Sequence, residues 1–200
     1  MIEKWLSYSL HDLLIFSPES YYRLHELYNL SLWPLQVLSF LLFCLALYLN
    51  IKGYRYYPKA ILIGLSLAWL LNGFWFVSQF YVQINPLANT LTYAFYLQAI
   101  LLMLMAVFVS HAGGSPGPSG IRAVSGWSLL MYAGFVHPVA LFLLGRKFGG
   151  IEIVGIAPDP TALATLGILI MLKKRVYWLA MIVPSLWITL SILTYLSFET

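Results

Sequence analysis

Leu32-Trp33-Pro34-Leu35-Gln36-Val37-Leu38-Ser39-Phe40-Leu41-Leu42-Phe43-Cys44-Leu45-Ala46-Leu47-Tyr48-Leu49-Asn50-Ile51 runs for twenty residues without an Asp, Glu, Lys or Arg. A helix needs about 20 mainly apolar residues to cross the ~30 Å hydrocarbon core of a bilayer. Lipid offers the backbone no hydrogen-bond partner, so an uninterrupted run of this length is a helix. A barrel strand would alternate apolar and polar positions. Five further segments have the same character: Ala60–Val82, Ala88–Ser110, Val124–Gly145, Ile151–Leu172 and Val176–Leu196. The expected fold class is therefore all-α, a polytopic membrane protein with six transmembrane helices. It forms a single membrane domain over 1–200, with an interfacial segment at 1–30 and a six-helix bundle at 31–200. Composition agrees, since 61% of the chain is apolar and 9% charged, with a mean hydropathy of +0.83. A soluble domain carries about a quarter charged residues, so a soluble globular fold is excluded.

The first thirty residues differ in kind. Trp5, Leu6, Leu10, Leu13 and Leu14 form an apolar stripe at helical spacing, interrupted by Lys4, His11 and Asp12. This pattern predicts an amphipathic helix lying in the membrane interface. The segment lacks the basic start, clean apolar run and small-residue cleavage site of a signal peptide, so it is expected to remain in the mature protein. Ser17-Pro18-Glu19 then predicts a helix start, with Ser as N-cap, Pro at N1 and an acid in the first turn. That helix runs toward Asn29, with Glu19, Arg23 and Glu26 on one face and Tyr21, His25 and Tyr28 on another. Pro34 is expected to kink its join to the first span. Farther on, the Gly/Pro/Ser-rich stretch at 112–120 reads as a flexible loop that divides the six spans into two halves of three.

Charge sets the expected orientation through the Lys/Arg bias of the loops. One side receives Lys52, Arg55, Lys59, Arg122, Lys173, Lys174 and Arg175. The other receives Lys4, Arg23, Arg146 and Lys147, together with all seven acids. Both termini are then expected on the outer side, the periplasm in a bacterium. Lys52 to Lys59 alternates basic and aromatic residues, which reads as an interfacial anchor. No clustered basic surface points to nucleic acid. Cys44, the one cysteine, reads as a small apolar residue within a helix.

The fifth segment is the least ordinary. It contains Pro158-Asp159-Pro160-Thr161, which no regular helix interior accommodates. The segment is expected to be discontinuous, irregular up to Pro160 and then a short helix capped by Asp159. At membrane depth such a break occurs where backbone is buried in protein or lines a cavity, and it marks substrate sites in transporters. A plain loop and cap at the outer surface is the competing reading. His137, followed by Pro138, sits mid-span, where an ionisable group is a functional candidate or a hydrogen-bonded interhelical contact. Asn72 and Gln79 lie seven apart on the second span, near Trp75 and Phe76. Asn89, Tyr93 and Tyr96 form a line on the third span, with Gln98 deeper. Interhelical bonding accounts for each alone. Taken together they suggest a polar, aromatic-lined cavity opening outward. The candidate substrate-binding residues are Asp159, His137, Asn72, Gln79 and Tyr96. No catalytic or metal-ligand motif and no cofactor fingerprint accompanies them.

The stretch from Leu13 to Asn29, with Leu32-Trp33-Pro34, Pro158-Asp159-Pro160-Thr161, Thr165-Leu166-Gly167 and Pro184-Ser185-Leu186-Trp187, resembles an uncharacterised family of bacterial six-helix membrane proteins, a domain of unknown function. The resemblance implies a bacterial inner membrane and six helices, and carries no activity. The leading functional expectation is a small transporter or channel for a modest solute, its cavity at the broken fifth helix. The alternatives are a non-catalytic accessory subunit of a membrane complex, or a homo-oligomer, and thirdly a membrane enzyme acting on a hydrophobic substrate. The bilayer is the one partner directly implied.

Overall fold

The computed structural model describes residues 16–54, 56–108, 119–172 and 175–199. The expected stripe at Trp5 to Leu14, most of the 112–120 loop, and Arg55, Lys173 and Lys174 lie outside the described residues. Among those described there are helices and turns and no strand. Helix α1 spans Pro18–Ser31. Ser17 caps it by accepting from the Ser20 N–H at 3.3 Å, and Pro18 stands in the first turn, where no backbone donor is needed. Its inner face buries Tyr21, Leu24, His25, Tyr28 and Asn29, and Arg23 pairs with Glu26 at 2.9 Å on its outer side.

Helix α2, Leu35–Ile51, leaves α1 at an angle of 85°. Pro34 supplies no N–H and disfavours helical geometry in Trp33, so the chain turns there. Helix α3, Tyr57–Leu71, continues through a wide π-helical stretch, Asn72–Phe80, and a tight turn, Tyr81–Gln83. Helix α4 is Ala88–Phe108. Helix α5, Ile121–Met131, passes through a second π turn, Tyr132–Val136, into α6, His137–Leu143. Pro138 explains that turn: its ring clashes with the carbonyl four residues back and removes a donor, and wider winding relieves both.

Helix α7, Pro158–Met171, is the centre of the bundle, buried on nearly all sides. It packs on α5 where two glycines meet. A Cβ on either Gly126 or Gly167 would lie 2.9 Å from the other's carbonyl oxygen, so only hydrogen at both positions permits this approach. Trp69 Nε1 of α3 donates to Thr165 Oγ1 of α7 at 2.9 Å. Ser66 Oγ joins α3 to α4 by donating to Ala99 O at 2.7 Å. Gln98 Nε2 donates to Ala180 O at 2.9 Å, in the tight turn Arg175–Met181 that precedes α8, Ile182–Glu199.

Among the described residues four helical stretches are long and apolar enough to cross a membrane: Tyr57–Gln83, Ala88–Phe108, Ile121–Leu143 and Tyr177–Phe198. A fifth is added if the bent pair α1–α2 counts as one span. The fifth sequence segment is discontinuous, as expected, but the break ends earlier than Pro160. Residues 151–157 are irregular, and Pro158, Asp159 and Pro160 form the first helical turn of α7. First-turn N–H groups have no intrahelical partner, so two prolines fit there at no cost. Asp159 therefore does not cap the helix. Ala157 occupies the cap position, with no side-chain cap bond. At 14 residues, α7 is about 21 Å long, short of the ~30 Å core.

Candidate functional site

The backbone from Gly145 to Ala157 forms a strap between α6 and α7. Gly145 (φ +87°) and Gly155 (φ +91°) supply left-handed turns near its two ends, a conformation natural to glycine. Irregular backbone inside an apolar bundle must find partners for its polar groups, and here other helices provide them. Asn29 Nδ2 of α1 donates to Gly149 O and to Ile151 O, both at 2.8 Å. Tyr28 OH donates to Ile156 O at 2.8 Å. Ser39 Oγ of α2 donates to Val154 O at 2.6 Å. Asn72 Nδ2, where α3 widens, donates to Gly155 O at 3.3 Å. The Gly155 N–H itself donates to Thr161 Oγ1 at 2.8 Å.

The strap carries Glu152, whose side chain is 0% exposed. Four side chains from separate parts of the chain surround its carboxylate. His137 Nε2 lies 3.2 Å from Oε2. His25 Nε2 lies 3.7 Å from Oε1. Arg146 Nη2 lies 3.4 Å from Oε1, and Tyr195 OH donates to that oxygen at 3.3 Å. Arg146 Nη2 also donates to Tyr195 OH at 2.7 Å, and its guanidinium stacks 4.0 Å above the Tyr22 ring. His25 is packed between Tyr21 and Phe76, with ring centroids 4.8 and 5.0 Å away. Neither of its ring nitrogens has a hydrogen-bond partner among the described residues. Both carboxylate oxygens of Glu152 thus face nitrogens that can carry positive charge, His25 and Arg146 at Oε1 and His137 at Oε2.

A second buried acid lies nearby in sequence. Asp159 Oδ1 accepts from Trp187 Nε1 at 2.7 Å, and Oδ2 accepts from Ser191 Oγ. Both donors stand on α8, so this carboxylate joins α7 to α8. Among the described residues no group of three or more His, Cys, Asp or Glu side chains is arranged to hold a metal ion.

The five residues singled out in the sequence fall in different places. His137 meets Glu152, Asn72 ties the strap, and Asp159 bonds α8. Gln79 is exposed and bonds its neighbour Ser78 at 3.2 Å. Tyr96 is half-buried beside Gly73, where its ring would lie 3.1 Å from an added Cβ. Asn89 and Tyr93 are exposed. Beside the broken helix, between α2 and α3, runs a groove of about 410 Å³. Aliphatic side chains dominate its lining, and Asp159, His137, Asn72, Gln79 and Tyr96 are not part of it. Sequence reading missed Glu152, His25, Arg146 and Tyr195 as one group. The available signal was an acid at the mouth of an apolar segment in a chain holding only seven acids.

The fold and the buried cluster define an all-helical protein among the described residues, with apolar helices of membrane-spanning length and a buried acid on the strap between α6 and α7. A family model for a family of unknown function, DUF6064, matches residues 18–199, and the chain belongs to that family. No curated protein and no solved structure matches the chain.

Proposed function

We propose that this protein is a small membrane transporter for a modest solute, with the Glu152 cluster as its ion- or proton-coupling site. In this reading α1 with α2, then α3, α4, α5 with α6, the strap with α7, and α8 make six crossings of a bacterial inner membrane. The observation that carries the proposal is a wholly buried glutamate on irregular backbone, in contact with two histidines from different elements. Ionisable groups in such surroundings are costly. They mark ion pathways and proton relays in membrane proteins, and irregular backbone at membrane depth accompanies binding sites in transporters. Imidazole ordinarily titrates near neutral pH, and in this reading His137, hydrogen-bonded to Glu152, carries the proton with Glu152 as its counter-charge.

Proteoliposomes loaded with a pH-sensitive dye test this. Solute addition from a broad panel should produce internal acidification with one solute class, and Glu152→Gln should abolish it while leaving the protein folded. Absence of flux for every solute overturns the proposal. An accessory subunit of a membrane complex is the alternative, favoured by the closed pairing of Asp159 with Trp187 and Ser191, which suits a fixed scaffold. Purification in mild detergent as a lone monomer counts against that alternative.

A further inference from the structure

The groove between α2 and α3 is floored by Leu130, by the strap at Val154, Gly155 and Ile156, and by Ala164 and Ile168 of α7. On α2 its lining runs from Leu35 to Leu49, about 21 Å at 1.5 Å per residue. That exceeds the ~15 Å depth of one hydrocarbon leaflet. Its volume of about 410 Å³ lies within the range of small-molecule sites, ~300–1,000 Å³. At the end where α2 turns into α3, the polarity changes. Lys52 and Lys59 are exposed there, three residues beyond Leu49 and next to Ala60 of the lining. Tyr57 lines the same end, is 7% exposed, and its hydroxyl has no hydrogen-bond partner among the described residues. The Nδ2 of Asn50, one turn from Ala46 of the lining, is also buried without a partner among them.

We infer that this groove is a specific site for one anionic phospholipid, its acyl chain lying along α2 and α3 and its phosphate held by Lys52 and Lys59. An apolar channel longer than a leaflet, with two ammonium groups and unpartnered buried polar atoms at one end, matches an amphiphile with a negative head. The alternation of apolar length and basic end follows the general rule for lipid headgroup recognition at a membrane surface. A second copy of the chain is a poorer occupant. A two-fold contact is self-complementary, so groove against groove would bring the same lysine pairs together and repel.

Gly64 gives a clean test. It lines the groove, and a Cβ there meets nothing within 4 Å. Filling the space with Gly64→Phe, or with Gly64→Leu as the milder form, removes a helix-interior glycine and should leave the fold intact. Native mass spectrometry of the full chain is run in detergent after titration with phosphatidylglycerol or phosphatidylcholine. Wild type should retain one phosphatidylglycerol, at least tenfold in preference to phosphatidylcholine. Both Gly64 variants should lose it at least tenfold. Lys52→Gln with Lys59→Gln should erase the preference between the two lipids. The inference is overturned if neither lipid is retained, if retention is unchanged in both Gly64 variants, or if the species lost on Gly64 substitution is a dimer. A thermal unfolding midpoint matching wild type in Gly64→Leu separates loss of the site from loss of fold. The outcome is independent of the flux assay above, so failure of either reading leaves the other standing.

Discussion

Glu152 is a charge taken fully out of water, and its position is tolerable only because the cations and donors around it are already in place. Removing one partner of a buried ion pair costs about 3–5 kcal/mol, chiefly because the other charge is stranded. Glu152→Gln should therefore lower the stability of the detergent-solubilised protein by about that amount, read from thermal unfolding. Tyr195→Phe leaves the ions in place but removes the hydroxyl that donates to Glu152 and accepts from Arg146, and should cost less, about 1–3 kcal/mol. If the two variants unfold alike, the cluster is not held by its charges. Gly155→Ala should be as damaging for a steric reason. Its φ of +91° is unnatural to alanine, and the added Cβ would overlap Ser39 Oγ.

At the scale of elements, the strap is a piece of irregular chain converted into a fixed part by side chains from α1, α2 and α3. Tyr28, Asn29, Ser39 and Asn72 each bond a strap carbonyl. A net hydrogen bond is worth about 0.5–1.5 kcal/mol, so Ser39→Ala or Tyr28→Phe alone should shift stability slightly. Their effect should appear instead as faster hydrogen exchange across 149–157, with α7 still protected. Protection lost equally in α7 would mean strap and helix open as one unit. The break in the fifth segment could be read from the sequence because two prolines around an acid have few places to go. The helices could be read because a long apolar run leaves its backbone one way to satisfy its own hydrogen bonds. The partners of Glu152 could not, since residues 25, 137, 146 and 195 are brought together only by tertiary packing. Asn72 and Gln79 part for a local reason. At regular helical spacing, residues seven apart share a face, but the π-helical stretch Asn72–Phe80 turns less per residue and parts them. Asn72 faces the strap and Gln79 the outside. An acid before a helix reads as a cap, whereas the prolines on both sides of Asp159 are inside the helix and carry it into the first turn.

At the scale of the molecule, eighteen charged residues must be distributed between the surfaces and the interior. Exposed apolar side chains such as Leu38, Leu41, Leu42 and Leu45 on α2 are natural toward lipid and would be a liability in water. The strap and α7 decide the topology, because α7 alone is shorter than the hydrocarbon core and crosses it only together with the strap. If they cross, Lys147 and Leu172 lie on opposite sides. If they return as a re-entrant loop, both lie on one side. With Cys44→Ser as background, single cysteines are placed at Lys52, Lys147 and Leu172 and labelled in intact cells by a membrane-impermeant maleimide. Six crossings with the basic loops inside predict that only Lys147→Cys reacts from outside. Lys52→Cys and Leu172→Cys should react only after the membrane is opened. Labelling of Leu172→Cys together with Lys147→Cys would make the segment re-entrant and invert the termini relative to one another. The buried Glu152 would then stand at the base of a loop entered from one face. Labelling of Lys52→Cys and Leu172→Cys without Lys147→Cys would reverse the whole orientation while preserving six crossings. In that case the acids would face the cytoplasm, and the charge asymmetry that set the expectation would have been governed by the residues nearest the N-terminus rather than by the loop total.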